Sequence, residues 1–370
     1  MSARRRVLLF AAVTSTALAL AACSQDSDDG GGDDATAAGG DTSAPEQPAA
    51  DLPAPFDAEP VQVALVRQSG AGDYFEAWGA GAQAQAAAVN IELTVTDARN
   101  DNARHSTDLE QAIAGQPDAI IVDHGQTDAV EPLIHEAVDA GIPVVIYDLA
   151  LNDTTGVIVT SQSDASMAEG VLDQLIEDVG DGAQVGYVSA EGFAPLDRRA
   201  VVWQQYVADH GLNQVFSTGT VTESTLSDNI PLVDAALRAD PDVQAIFAPY
   251  DEITKGATQA VIQNNLQDSV RVYGIDISNA DIEVMTAEGS PWVATSATDP
   301  AAVGAAVVRT LALELAGELD SDAVEFPAVT VTQDFLRENA ITNVAQLREA
   351  EPSLLLDDVS VSDWLAAVSS

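Results

Sequence analysis

Four aspartates carry the first chemical signal in the chain. Asp123 and Asp148 each close a short apolar run, 25 positions apart, and Asp251 and Asp276 repeat that separation. Each pair brackets one helical stretch, so the spacing gives two βαβ units of similar build, too loose to be a sequence repeat. Parallel sheets bind ligands beyond the carboxyl ends of their strands, which points these carboxylates at the functional edge of each unit. Opposed carboxylates such as Asp148 and Asp276 also equip a glycosidase. Binding alone calls for the same groups, however, and no further catalytic constellation accompanies them. His105, His124, His135 and His210 show no metal-ligand spacing. There is no Gly-x-Ser-x-Gly elbow and no Walker loop. Gly70-Ala71-Gly72 lacks the third glycine of a dinucleotide loop, and Asp73 would repel phosphate. The expected chemistry is capture, without enzyme activity, cofactor or metal.

Such groups need rigid elements to hold them. Apolar residues make up 46% of the chain and aromatics only 5%. The core must therefore come from Ala, Val, Leu and Ile, which suits helices packed on parallel strands buried on both faces. From Val61 onward short apolar runs alternate with helical patterns, the mark of a parallel sheet. Strands are predicted at 61–66, 91–96, 119–122 and 144–147. A second series beginning near Val157 adds 184–188, a strand near Val215, 245–247 and 271–275. Helices are predicted over 74–89, near 107–114, up to Ala140, over 165–179 and 196–210, and from Pro300 to Leu315. Asp251, just ahead of a helical stretch, reads as an N-cap, and Trp203, in mid-helix, as core. An extended stretch at 328–332 and a weakly helical tail close the chain, the tail with no assignable role.

Charge and the N-terminus narrow the setting. The balance of 14 Lys plus Arg against 59 Asp plus Glu gives a net charge of −45, which excludes nucleic acid as a partner. Lys255 is the only lysine and Cys23 the only cysteine, so no intrachain disulfide or thiolate metal site can form. Arg4, Arg5 and Arg6 precede an apolar run, 7–22, that is short for a bilayer span. Leu20-Ala21-Ala22-Cys23 then resembles the lipobox of bacterial lipoproteins. That resemblance implies removal of residues 1–22, a lipidated Cys23 and an extracytoplasmic protein anchored to the cell membrane. Residues 23–60, acidic and without a basic residue, are expected to form a disordered tether. Its reach is roughly 35 Å.

Residues 64–83, 119–130, 141–148, 245–257 and 272–276 resemble the ribose/galactose-type periplasmic binding proteins of ABC transporters, in an order that spans 61–333. The resemblance implies an α/β, type I periplasmic-binding-protein fold with two doubly wound parallel-sheet lobes joined by a three-segment hinge. The N-terminal lobe would be 61–160 with 299–327, the C-terminal lobe 161–298 with 328–333, and 334–370 an extension. Hinge segments would fall near 159–161, 296–298 and 327–330. A monomer of this kind closes on a small sugar or polyol and presents it to permease subunits. By the same resemblance Tyr74 and Phe75 stack on the sugar, Asp148 and Asp276 accept its hydroxyls, and Arg198, within Asp197-Arg198-Arg199, reaches it from the second lobe.

Departures from ribose-binding members matter as much. Ala71, Asp123 and Leu149 stand where those carry Asn, Asn and Arg, and Tyr250 and Thr298 replace Asn and Gln. Asp123, Tyr250 and Thr298 remain ligand-binding candidates. Loss of amide and guanidinium groups argues against ribose itself and for a neutral or slightly cationic polyhydroxylated ligand. A nucleoside or furanose-like signal molecule is the alternative cargo, and sensing the alternative role.

Overall fold

The computed structural model describes residues 52–368; Cys23 and most of the expected tether lie outside the described residues. One sheet is built from β1 (Val61–Arg67), β2 (Ile91–Asp97), β3 (Ala119–Asp123), β4 (Val144–Tyr147), β5 (Val157–Gln162) and β11 (Ala323–Phe326). Their order is β11-β5-β4-β3-β1-β2, with every neighbour parallel. The other sheet holds β6 (Gln184–Val188), β7 (Asn213–Thr218), β8 (Ala245–Ala248), β9 (Arg271–Ile275), β10 (Trp292–Ala297) and β12 (Val329–Thr332). It repeats the order as β12-β10-β9-β8-β6-β7, and β12 alone runs antiparallel. The predicted α/β class and two-lobe architecture are therefore present. β3, β4 and β8 are buried at every position, as strands covered by helices on both faces must be.

In each sheet the strand order reverses beside the first strand, between β1 and β3 and between β6 and β8. Loops leaving the carboxyl ends diverge at that point and leave a crevice. The residues that turn the chain there share one backbone device. His124, Asp148 and Asp276 have φ of 60°, 46° and 77°, the left-handed region that Asn, Asp and His tolerate best. In both lobes the turning aspartate donates its backbone N–H to the next strand, Asp148 to Thr160 O at 3.0 Å and Asp276 to Ser296 O at 2.8 Å.

Helix α1 (Asp73–Ala88) packs on α9 (Pro300–Ala316) in the first lobe with almost no side chain between them. A Cβ at Gly304 would lie 2.1 Å from Trp78 O, and one at Gly81 would lie 1.9 Å from Ala301 O. Only glycine allows that approach. Asp299 caps α9 by accepting from the Ala301 and Ala302 amides. In the second lobe α4 (Asp164–Val179), α5 (Ala194–Asp209), α6 (Thr225–Ala239) and α7 (Asp251–Gln263) cover the sheet. Trp203 of α5 stacks on Tyr187 and meets Phe247 at a tilt, as core.

Several expectations need correction. The first crossing between lobes follows Gln162, because β5 stays in the first sheet to that residue; residue 161 does not begin the second lobe. β10 and β11 went unpredicted, their apolar pattern being broken by polar residues. Asp251 is the first residue of α7, not its cap; its carboxylate accepts the neighbouring Glu252 amide. The end of the tether is also folded: Phe56 is 1% exposed and stacks on Trp364 at 5.3 Å. The extension from residue 334 has a structural role. Leu347 and Leu354 sit in the second lobe's core, and Leu356 and Leu365 in the first, which makes a fourth crossing. Buried Arg309 of α9 binds it by donating to Leu356 O and Val359 O.

Replacing Gly304 with valine should cost about 3 kcal/mol, since overpacking here meets backbone. Urea unfolding measures it, and a loss below about 1 kcal/mol would contradict the contact between α1 and α9.

Candidate ligand-binding cleft

The crevices of the two sheets face each other across a cleft open to solvent. From the first lobe Gln68 and Ser69 follow β1, Asn100 follows β2, His124 follows β3, and Gln162 ends β5. Tyr74 and Phe75, in the first turn of α1, complete this wall. From the second lobe Phe193, Pro195, Leu196 and Arg199 come from the start of α5 after β6. Val221 follows β7, Tyr250 follows β8, and Asp276 follows β9.

Aromatic rings shape one side. Phe75 meets His124 edge to face at 5.0 Å and Tyr250 at 6.3 Å, so its contacts span both lobes. Behind it Arg67 donates to Phe75 O at 2.9 Å and lies 5.8 Å from its ring centre. Tyr74 and Tyr147 share a hydroxyl–hydroxyl bond of 2.6 Å. Burial, with the Asp276 and Asp148 charges behind it, pushes the Tyr74 hydroxyl well above its ordinary range. It therefore acts as a neutral hydrogen-bonding group.

The sequence candidates separate into two groups. Tyr74, Phe75, Tyr250 and Asp276 line the cleft. Asp123, Asp148, Arg198 and Thr298 stand behind it. Asp123 is buried with both oxygens committed, one to Arg67 Nε and one to His124 Nδ1, each at 2.6 Å. Burial works against its charge, but Arg67 and then His124 hold its pKa below the ordinary value. Its place at the edge belongs to the His124 ring, which it orients. Asp148 accepts from the Gln162 side chain and from Arg198 Nη2 at 2.8 Å, and Thr298 donates to Gln162 Oε1 at 2.7 Å. Both hold Gln162, and Gln162 is what reaches the cleft.

Arg198 and Arg199 exchange the expected roles. Adjacent helical residues point about 100° apart, so only one of them can face the cleft, and Arg199 does. Its Nε meets Asp164 at 2.6 Å and its Nη1 lies 3.6 Å from Asp276. Burial opposes its charge, yet Asp164 and then Asp276 keep it protonated. Asp276 is pushed up to about 6, chiefly by burial, with Arg199 opposing and Asp164 and Asp148 adding to the rise. Asn100, Gln162 and Val221 were missed by sequence reading although each lies at or just past a strand's carboxyl end. The start of α5 was missed because nothing in the sequence sets its rotation. Among the described residues no cluster of His, Cys, Asp and Glu could hold a metal ion.

The cleft is lined by buried polar groups and by apolar walls, between two lobes of one topology. The chain matches the periplasmic binding protein domain family over residues 63–319. It is 29% identical to the ribose import binding protein of Escherichia coli (strain K12) over 261 residues, covering 69% of this chain and 85% of that one. Among solved structures it is similar to the 5-methylthioribose transporter solute binding protein from Thermotoga lettingae TMO. Identity there is 38% and the TM-score 0.81, covering 85% of this chain and 98% of that one. A sugar ABC transporter protein from Yersinia enterocolitica aligns with a TM-score of 0.79 at 28% identity, over 83% of this chain and 94% of that one. The chain belongs to the periplasmic binding protein family. It is a solute-binding component of the sugar-type ABC importer class and not an enzyme.

The raised pKa of Asp276 has a stability consequence. A carboxyl raised from 3.8 to about 6 contributes stability that is fully present below the lower value and lost as pH climbs through the upper one. Asp276→Asn should therefore raise the melting midpoint of ligand-free protein at pH 8 and leave it unchanged at pH 3.5. A lower midpoint at pH 8 would show that Arg199 more than offsets the burial.

Proposed function

We propose that the cleft captures an uncharged, pentose-sized sugar bearing an apolar substituent. The observation that carries this reading is the divided lining of the second lobe. Arg199 and Asp276, facing Gln162, make a polar end, while Phe193, Leu196 and Val221 make an apolar one. A vicinal diol satisfies a carboxylate and a guanidinium together. A sugar with hydroxyls all round would leave one unpaired against Leu196 and Val221, at a cost of about 1–3 kcal/mol. A thioether or short alkyl group suits those walls. Tyr74 and Phe75 present ring faces to the sugar's C–H face, and His124 and Tyr250 offer polar atoms beside them.

The 5-methylthioribose-binding relative supports this reading, since its ligand joins a sugar diol to an apolar methylthio group. The protein works as a monomer, presents its closed form to permease subunits, and is held at the outer face of the cell membrane by lipid on Cys23. The lipobox-like Leu20–Cys23 supports the anchor.

Titration calorimetry with 5-methylthioribose and D-ribose tests the cargo. The substituted sugar should bind at least about tenfold more tightly, the worth of one buried methyl with its hydroxyl penalty removed. Leu196→Asn should erase the difference. Equal affinities for the wild type would refute the apolar end, and binding of neither sugar would refute the cargo class.

A further inference from the structure

The only lysine in the chain lies where the two lobes meet. Lys255 is 6% exposed, and its Nζ reaches Asp73 Oδ2, at the start of α1 in the other lobe, at 2.7 Å. Its remaining partners belong to its own lobe: Glu252 at 2.6 Å, Asp281 at 3.2 Å and Asp251 at 3.6 Å. Three carboxylates thus hold the ammonium in place and protonated whether or not the lobes are together, and Asp73 is the one partner that arrives with the opposite lobe.

Two other polar contacts between the lobes are weaker. Arg99 and Glu223 are both well exposed and 3.9 Å apart, a geometry that contributes little. Asn100 makes a single bond to Thr222 O at 3.1 Å. In the pair of Lys255 and Asp73 the lysine is buried and the aspartate side chain is 44% exposed, and each is tied by short, rigid backbone to the cleft. Asp73 directly precedes Tyr74 and Phe75. Lys255 lies on the first turns of α7, whose cap is Tyr250. Drawing these rings together around a ligand brings the two charges into contact.

We infer that Asp73 and Lys255 form a latch across the cleft, engaged part of the time without ligand and fully once ligand is bound, that sets how long the cleft stays shut without taking part in choosing the cargo. The inference rests on the cleft being the ligand site. It implies that weakening the latch speeds ligand release while the preference among sugars is unchanged. It also makes Lys255 a reporter of closure, since no other lysine competes for an amine reagent.

The test uses the full chain as wild type, Asp73→Asn and Glu76→Gln. The last removes an equal charge from an exposed position on the same turn of α1. Reductive methylation of Lys255 is followed by peptide mass spectrometry in ligand-free protein and with saturating D-ribose or 5-methylthioribose; release of bound sugar is followed by stopped flow. Ligand-free Asp73→Asn should be methylated several-fold faster than wild type and Glu76→Gln at the wild-type rate. Bound sugar should protect wild-type Lys255, and release from Asp73→Asn should be about tenfold faster, as loss of a partly buried pair implies. Equal methylation of Asp73→Asn and wild type would overturn the latch, and so would release at the wild-type rate. Protection by neither sugar, with Asp73→Asn still faster, would sink the cargo reading and leave the cross-lobe pair standing.

Discussion

Five charged side chains form an unbroken alternation from one lobe to the other: Asp148, Arg198, Asp164, Arg199 and Asp276. Successive separations are 2.8, 2.6, 2.6 and 3.6 Å. All but Arg198, whose side chain is 38% exposed, are buried. Buried charges persist only when paired and hydrogen-bonded. The chain starts and ends on the two aspartates that turn the backbone at equivalent strand ends, so it fixes the carboxyl edge of one sheet relative to that of the other. Its inner end faces the cleft as Arg199 with Asp276. The polar end of the site is thus the exposed face of an interlobe network.

That arrangement balances charge at the cleft of an acidic chain. The carboxylates at the cleft floor are matched by arginines drawn from the 14 basic residues of the whole chain. Arg67 with Asp123 repeats the device beneath the aromatic wall, and Lys255 with its carboxylates repeats it at the lobe junction. Arg199 and Lys255 each face more than one carboxylate, whereas Arg67 faces Asp123 alone. Apolar residues from the start of α5 and from Val221 then occupy the remaining surface, which leaves a small set of unpaired polar atoms to define a ligand.

The fold was largely legible because its signal is long: alternating apolar runs and helical patterns over some 270 residues, with Asp123, Asp148 and Asp276 marking strand ends. β10 and β11 escaped because Thr295, Ser296 and Glu325 break their apolar pattern. The fourth crossing escaped because a weakly helical tail says nothing about which core its leucines enter. At the site, the strand-end residues Asp276 and Tyr250 were found, while Asn100, Gln162 and Val221, equally placed at strand ends, were not. Asp276 and Tyr250 follow from topology. Whether Asp123 or its neighbour His124 faces the ligand depends on Arg67, 56 positions away, and whether Arg198 or Arg199 does depends on helix rotation. Neither is written locally in the sequence.

The central claim is that Arg199, and not Arg198, completes the polar end of the cleft. Titration calorimetry of Arg199→Lys and Arg198→Lys, with whichever sugar binds the wild type, tests it most directly. Lysine keeps the charge but loses the planar fork. Affinity should fall about a hundredfold or more in Arg199→Lys and less than about tenfold in Arg198→Lys. Wild-type affinity in Arg199→Lys, or the reverse ranking of the two variants, would contradict the account.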